Sequence, residues 1–298
     1  MSIPAAYLTV ILIWSTTPLA IKWSAQGVGF SFAAVSRMAI GLVVALLLIA
    51  IWRVGMPFHR RARLSYLVSG LSLFGALSLT YWGSQFIHSG LVSVLFGLSP
   101  LVTGVLALLW LKEDAFSAKK LLGMVFGLVG LVVIFGDARA MGDAHAWVGV
   151  AALLAAVLVY SSGTVWIKRI GDDSPPLATT AGALTVSLPL FGMLWWGLDG
   201  RIPGAIPVRA ELAIVYLGVF GSVLGFALYY YVIKHMETGK VSLITLVTPV
   251  IALLLGSVLN GEDVSARVWL GALSIGFGLT IHQWSSLVAL TRSNPDAD

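Results

Sequence analysis

Residues Leu79 to Asp114 recur, in altered form, 149 positions later. Leu79-Thr-Tyr81, Ser89-Gly90-Leu-Val92-Ser93, Pro100 and Glu113-Asp114 return as Leu228-Tyr-Tyr230, Thr238-Gly239-Lys-Val241-Ser242, Pro249 and Glu262-Asp263, with 9 of 36 positions identical. Self-similarity at one fixed offset marks a duplicated structural unit whose two copies pack together. Both copies are almost entirely apolar, so the duplication describes two halves of a membrane bundle, with the seam between halves as the natural place for a site.

The hydrophobic fraction of 58%, the charged fraction of 10% and a mean hydropathy of +0.95 call for a lipid solvent over much of the surface. Apolar runs free of Asp and Glu cover Ile3 to Ile21, Phe32 to Trp52, Leu64 to Ile87, Leu91 to Leu111, Leu121 to Phe135, Ala146 to Ile167, Leu177 to Trp196, Leu212 to Ile233, Val241 to Leu259 and Val268 to Leu290. A spanning helix takes ~20 residues, so the expected fold is all-α and integral to the membrane, with ten transmembrane helices. The runs are continuous rather than alternating, which excludes barrel strands. The first run lacks a basic leader and a small-residue cleavage pattern, and is expected to be a retained span.

Arg53, Arg60, Arg61 and Arg63 share one loop, which the positive-inside rule places in the cytoplasm. Alternation then gives twelve Lys and Arg inside against five outside, with both termini cytoplasmic. Five helices per copy is an odd number, so the second copy enters upside down. The expectation is two inverted five-helix repeats, residues 1–140 and 141–298.

The motif content resembles a known family. Trp14-Ser15 with Pro18 and Lys22, Arg37, Ser93 to Pro100 followed by Glu113, and Gly123, Gly127 and Gly130 together are similar to the EamA-type drug/metabolite transporter superfamily; Tyr160-Ser161 to Lys168, Pro249, Glu262, Gly271 and Gly276 repeat the pattern. The resemblance covers the whole chain and looks closest to bacterial exporters of amino acids, aromatic ones included. It implies a central cavity, a small-molecule substrate, an inner (cytoplasmic) membrane location and export or exchange by alternating access. Other members carry nucleotide or sugar derivatives or cationic drugs, and a channel-like pore is the further alternative.

Residues three or four apart share a helix face, and on that spacing the polar and aromatic positions line up. Candidate substrate-binding residues are Trp14 and Ser15 in the first span, Ser78, Tyr81, Trp82 and Gln85 in the third, Ser93, Phe96 and Ser99 in the fourth, Tyr160, Ser161 and Trp166 in the sixth, Phe226 and Tyr230 in the eighth, and Ser242 and Thr245 in the ninth. Rings with a hydroxyl or N–H suit an apolar or aromatic substrate. Pro100 and Pro249, paired by the repeat, are candidate hinges. Gly123, Gly127, Gly271 and Gly276 are expected to let helices five and ten approach closely, as scaffold or in a homodimer.

All thirteen Asp and Glu lie outside the apolar runs, so an intramembrane carboxylate for proton or sodium coupling is not expected. Arg37 is the one formal charge inside a run; it is expected to clamp carbonyls at a helix end or, secondarily, to bind an amino-acid carboxylate. Lys22 and Lys168 are expected to snorkel to the interfaces. Glu262-Asp263 should bond within loops or pair with Arg267, and Glu113-Asp114 with Lys119 or Lys120. Five scattered His, no Cys and no nucleophile or phosphate-loop motif argue against an enzyme, a cofactor or a metal. The basic residues are too dispersed for nucleic acid.

Overall fold

The computed structural model describes residues 2–111, 118–135, 145–236 and 238–282, and every regular element among them is helical. The elements are α1 (Ile3–Ser24), α2 (Phe30–Trp52), α3 (Arg60–Gly83), α4 (Ser89–Phe96), α5 (Ser99–Leu111), α6 (Ala118–Phe135), α7 (Ala146–Ile170), α8 (Pro176–Leu198), α9 (Val208–Tyr216), a π-helical segment (Leu217–Leu224), α10 (Gly225–His235), α11 (Thr238–Asn260) and α12 (Ala266–His282). Seven helical stretches are long and apolar enough to cross a bilayer, among them Ser89–Leu111, which takes in α4 and α5, and Val208–Tyr229. Leu121–Ile134, Val247–Asn260 and Ala266–Ile281 are shorter apolar helices.

Local chemistry sets the ends. Arg53 and Gly171, both left-handed, close α2 and α7 by donating their N–H groups to Ile49 and Ile167. The His59 side chain accepts the Ala62 N–H and starts α3. Gly261, at φ 63°, turns the chain after α11 so that the Glu262 N–H reaches back to the Gly256 carbonyl at 3.2 Å.

The bundle's core is largely apolar with a few polar side chains enclosed in it, and its outer surface is apolar as well. Exposed leucines and valines recur at helical spacing, as Leu8 and Leu12 on α1, Val43, Leu47 and Ile51 on α2, and Leu64, Leu67 and Leu71 on α3. Ser15, Arg37, Ser93, Ser161 and Ser222 are among the few polar side chains buried inside. A soluble bundle would turn polar stripes outward; here the outer stripes are apolar and lipid solvates them.

The main helix contacts survive exchange of the two sequence copies. α2 packs on α8, α4 on α11, and α6 on α12; α1 packs along α9, the π segment and α10 as α7 packs along α3; α1 also meets α11 as α7 meets α5. Small residues allow the closest of these approaches. A Cβ on Gly130 would stand 2.5 Å from the Gly271 carbonyl oxygen, and one on Gly278 2.5 Å from that of Gly123. The expected glycine contact between the fifth and tenth spans is therefore present, but Gly276 has no part in it: nothing lies within 4 Å of its Cβ direction, and Gly278 takes that place.

Two spans that read as continuous are interrupted. The fourth breaks at Gly97 and Leu98, between α4 and α5, with Pro100 at the start of α5 where its missing N–H costs no helix bond. The eighth passes through the π segment, whose Gly218, Gly221 and Gly225 weaken the α-helical preference.

Candidate functional site

At the end of the bundle where α1 finishes and α4 begins, one carboxylate organises a polar clasp. Glu262 is 6% exposed; its Oε2 accepts the Ser89 N–H and the Ser89 hydroxyl, each at 2.9 Å. Its Oε1 lies 3.5 Å from Lys22 Nζ and accepts the Asn260 amide at 2.9 Å. Lys22 also donates to the Ile87 carbonyl at 3.0 Å, and Trp23 Nε1 donates to Asn260 Oδ1 at 2.9 Å. The Arg209 guanidinium lies 3.9 Å over the Trp23 ring and reaches the Leu259 carbonyl. Four parts of the chain, α1, the turn into α4, α9 and the end of α11, are thereby tied together.

The clasp differs from the sequence expectation. Lys22 does not snorkel alone and Glu262 does not turn to Arg267; the Gly261 turn lays Glu262 across Gly256, where any Cβ would collide with its Oε2. Burial pushes the Glu262 carboxyl up, but the Ser89 N–H, Lys22 and Asn260 outweigh it and hold it below its ordinary value. His88, half-buried beside the clasp, is held below the ordinary imidazole value by burial foremost.

Deeper in the bundle, polar atoms stand without partners. The Ser15 hydroxyl, the Ser78 hydroxyl, the Tyr81 hydroxyl and Arg37 Nη1 are all buried and make no hydrogen bond among the described residues. Tyr81 is wholly buried. A buried hydroxyl without a partner costs ~1–3 kcal/mol; with Ser69, α1, α2 and α3 carry four such hydroxyls and the one guanidinium nitrogen.

The remaining candidates fall into three groups. Where α4 and α5 meet α7, Ser161 donates to the Ser99 carbonyl at 3.3 Å, Ser99 donates to the Phe96 carbonyl at 2.6 Å, and the Phe96 and Tyr160 rings meet edge-on at 6.2 Å, with buried Ser93 one turn above Phe96. Where α1 meets α10, Trp14 packs on Tyr229 at 4.6 Å; Phe226 lies half-buried in α10 and Thr245 half-buried in α11. The third group is exposed at its helix ends: Trp82 against Phe86, Gln85 bonded to the Trp82 carbonyl, and Trp166 against Trp110 under Arg169. The side chains of Tyr230 and Ser242 lie outside the described set, as do Glu113, Asp114, Lys119 and Lys120.

The two prolines are not equivalent in place. Pro100 follows an open break, whereas Pro249 is buried inside the unbroken α11, and its ring lies 3.7 Å from the Cβ direction of Gly97, at the break itself. Each copy's proline region thus meets the other's.

Sequence reasoning missed Trp23, Asn260 and Arg209, which carry no repeat signature, and the π segment, whose signal was the spacing of Gly218, Gly221 and Gly225. Arg37 donates Nε to the Ser222 hydroxyl at 2.9 Å rather than clamping carbonyls.

Comparison with known proteins shows what the chain is similar to. The model of the EamA-like transporter family matches residues 2–136 and again 147–282. The chain is 26% identical over 93% of its length to a Bacillus subtilis protein named uncharacterized transporter YoaV, covering 95% of that protein. It is 26% identical to the Escherichia coli K12 uncharacterized inner membrane transporter YedA, covering 93% of this chain and 89% of that one. Protein PagO of Salmonella typhimurium is 22% identical over 94% of this chain and 92% of its own. A solved crystal structure of 22% identity shares the fold, with a TM-score of 0.66 over 96% of this chain and 99% of the other.

Proposed function

Starting from the fact that this chain belongs to the EamA-like transporter family, and is thus a multi-pass membrane transporter of small molecules, we propose that it exports or exchanges amino acids, aromatic ones among them, across the inner membrane. On this reading ten transmembrane helices form two inverted five-helix repeats, residues 1–140 and 141–298, with both termini cytoplasmic. The exchange symmetry of the helix contacts supports the repeats, and the printed name of the Escherichia coli relative supports the inner membrane.

Alternating access supplies the mechanism. The clasp of Lys22, Glu262 and Ser89 holds one end shut, and the break at Gly97, seated against Pro249, is the joint about which α4 and α5 move. The substrate occupies the interior between the unpartnered hydroxyls of Ser15, Ser78 and Tyr81 and the ring pairs Trp14–Tyr229 and Phe96–Tyr160. The observation that carries the reading is a set of buried, unmet hydrogen-bonding groups beneath a closed polar end: a passage in one of its two states.

Counterflow in proteoliposomes tests it. Vesicles preloaded with unlabelled amino acids should accumulate the labelled one, saturably and without a steep response to a pH gradient. Uptake that is linear in concentration would point to a pore, and counterflow by nucleosides or organic cations alone would remove amino acids as the substrate class.

A further inference from the structure

Arg37 is 4% exposed and lies within an apolar helix, yet no carboxylate among the described residues comes within ion-pair distance of it. Among the described residues its one hydrogen bond runs from Nε to Ser222 and Nη1 has none, while Nη2 lies over Gly221, 3.3 Å from where a Cβ would be. Removing a guanidinium from water without a counter-anion is costly, so a chain that keeps one has a use for the charge. The surroundings say which use. The π segment that carries Ser222 and Gly221 runs directly into Gly225, whose Cβ direction points 3.4 Å from Trp14 Nε1, and Trp14 lies on Tyr229. One glycine-lined face therefore presents a buried cation and, about 5 Å further along the helix axis, a flat aromatic surface.

We propose that Arg37 is the carboxylate-binding residue of the transport site, taking the acid group of a substrate whose apolar or aromatic part lies on Trp14 and Tyr229. Glycine at 221 and 225 lets the guanidinium and the Trp14 ring pack directly against this segment, and Ser222 fixes the guanidinium by its Nε so that the Nη edge faces the anion. The inference rests on the carrier reading above and narrows its substrate to acids. Cations and neutral amides fit the same aromatic surface but leave the guanidinium without its partner, and so are selected against.

The test uses full-length protein in detergent and three probes with one ring: L-phenylalanine, 3-phenylpropionate and L-phenylalaninamide. Binding is read by tryptophan fluorescence and by the shift in thermal unfolding. Both acids should bind wild-type protein at least tenfold more tightly than the amide. R37Q should abolish that preference, whereas R37K should retain part of it. An amide that binds within twofold of the acids, acids that do not bind at all, or a preference undiminished in R37Q would each overturn the proposal. The wild-type comparison decides even if R37Q fails to fold. Saturable counterflow of the amide as fast as that of the acid would sink the acid site while leaving the carrier intact; counterflow by no probe of any charge would sink the carrier itself.

Discussion

Replacing Glu262 with Gln should open the end of the bundle that the clasp closes. The substitution keeps the side chain's shape and an oxygen for Ser89, but it removes the charge. Loss of one member of a wholly buried ion pair costs ~3–5 kcal/mol, which is an upper bound here because the Lys22 side chain is 25% exposed and can turn to water. What remains is the weakening of two charge-assisted bonds from Ser89 to neutral ones, ~1 kcal/mol each, and a partly screened pair worth at most ~1 kcal/mol. A change of ~2–3 kcal/mol shifts the closed-to-open ratio by roughly 30- to 150-fold. The chain has no cysteine, so S93C, one turn below Ser89 and buried, provides a single thiol reporter. Its rate of modification by a charged, water-soluble maleimide should rise by that factor in the E262Q background. A rate within twofold of the parent, with both proteins unfolding at the same temperature, would show that the clasp does not hold this end shut.

Acidification should act in two steps. His88 is held below the ordinary imidazole value, about 6.5, so the stability it lends is full above that pH and declines as pH falls past it; H88Q should remove this step from the S93C labelling profile. Glu262 is depressed, so its contribution holds down to the ordinary carboxylate range and is lost only as pH falls through its lower folded-state value; E262Q should abolish this second step. Tyr81→Phe, which deletes a buried hydroxyl without a partner, should raise stability by ~1 kcal/mol while weakening substrate binding; a lower unfolding temperature would refute it. Gly130→Ala should destabilise by ~1–3 kcal/mol through its contact with the Gly271 backbone, whereas Gly276→Ala should be neutral in the same thermal assay.

The helical architecture was legible because the requirement to satisfy every backbone group in lipid leaves a long apolar run few alternatives. The pairing of α6 with α12 was legible too, since small residues at helical spacing have one common purpose in such a setting, although spacing alone did not separate Gly276 from Gly278. The clasp was not. Lys22 and Glu262 are 240 positions apart, and Glu262 points inward only because the Gly261 turn carries it over Gly256, a backbone detail that charge counting does not register. The ring and hydroxyl stripes did not give depth: Trp166 and Tyr81 read alike in sequence, yet one lies exposed against Trp110 and the other is wholly enclosed.

The wider winding between Leu217 and Leu224 also acts as a phase setter. A π turn holds one residue more than an α turn, so everything after it is rotated by about 100° relative to an unbroken helix. Tyr229, which follows the segment, meets Trp14 on this shifted phase. Shortening the segment by one residue would leave composition and hydropathy almost untouched and yet swing the second half of the helix to face different neighbours, so this is a position where length matters more than identity.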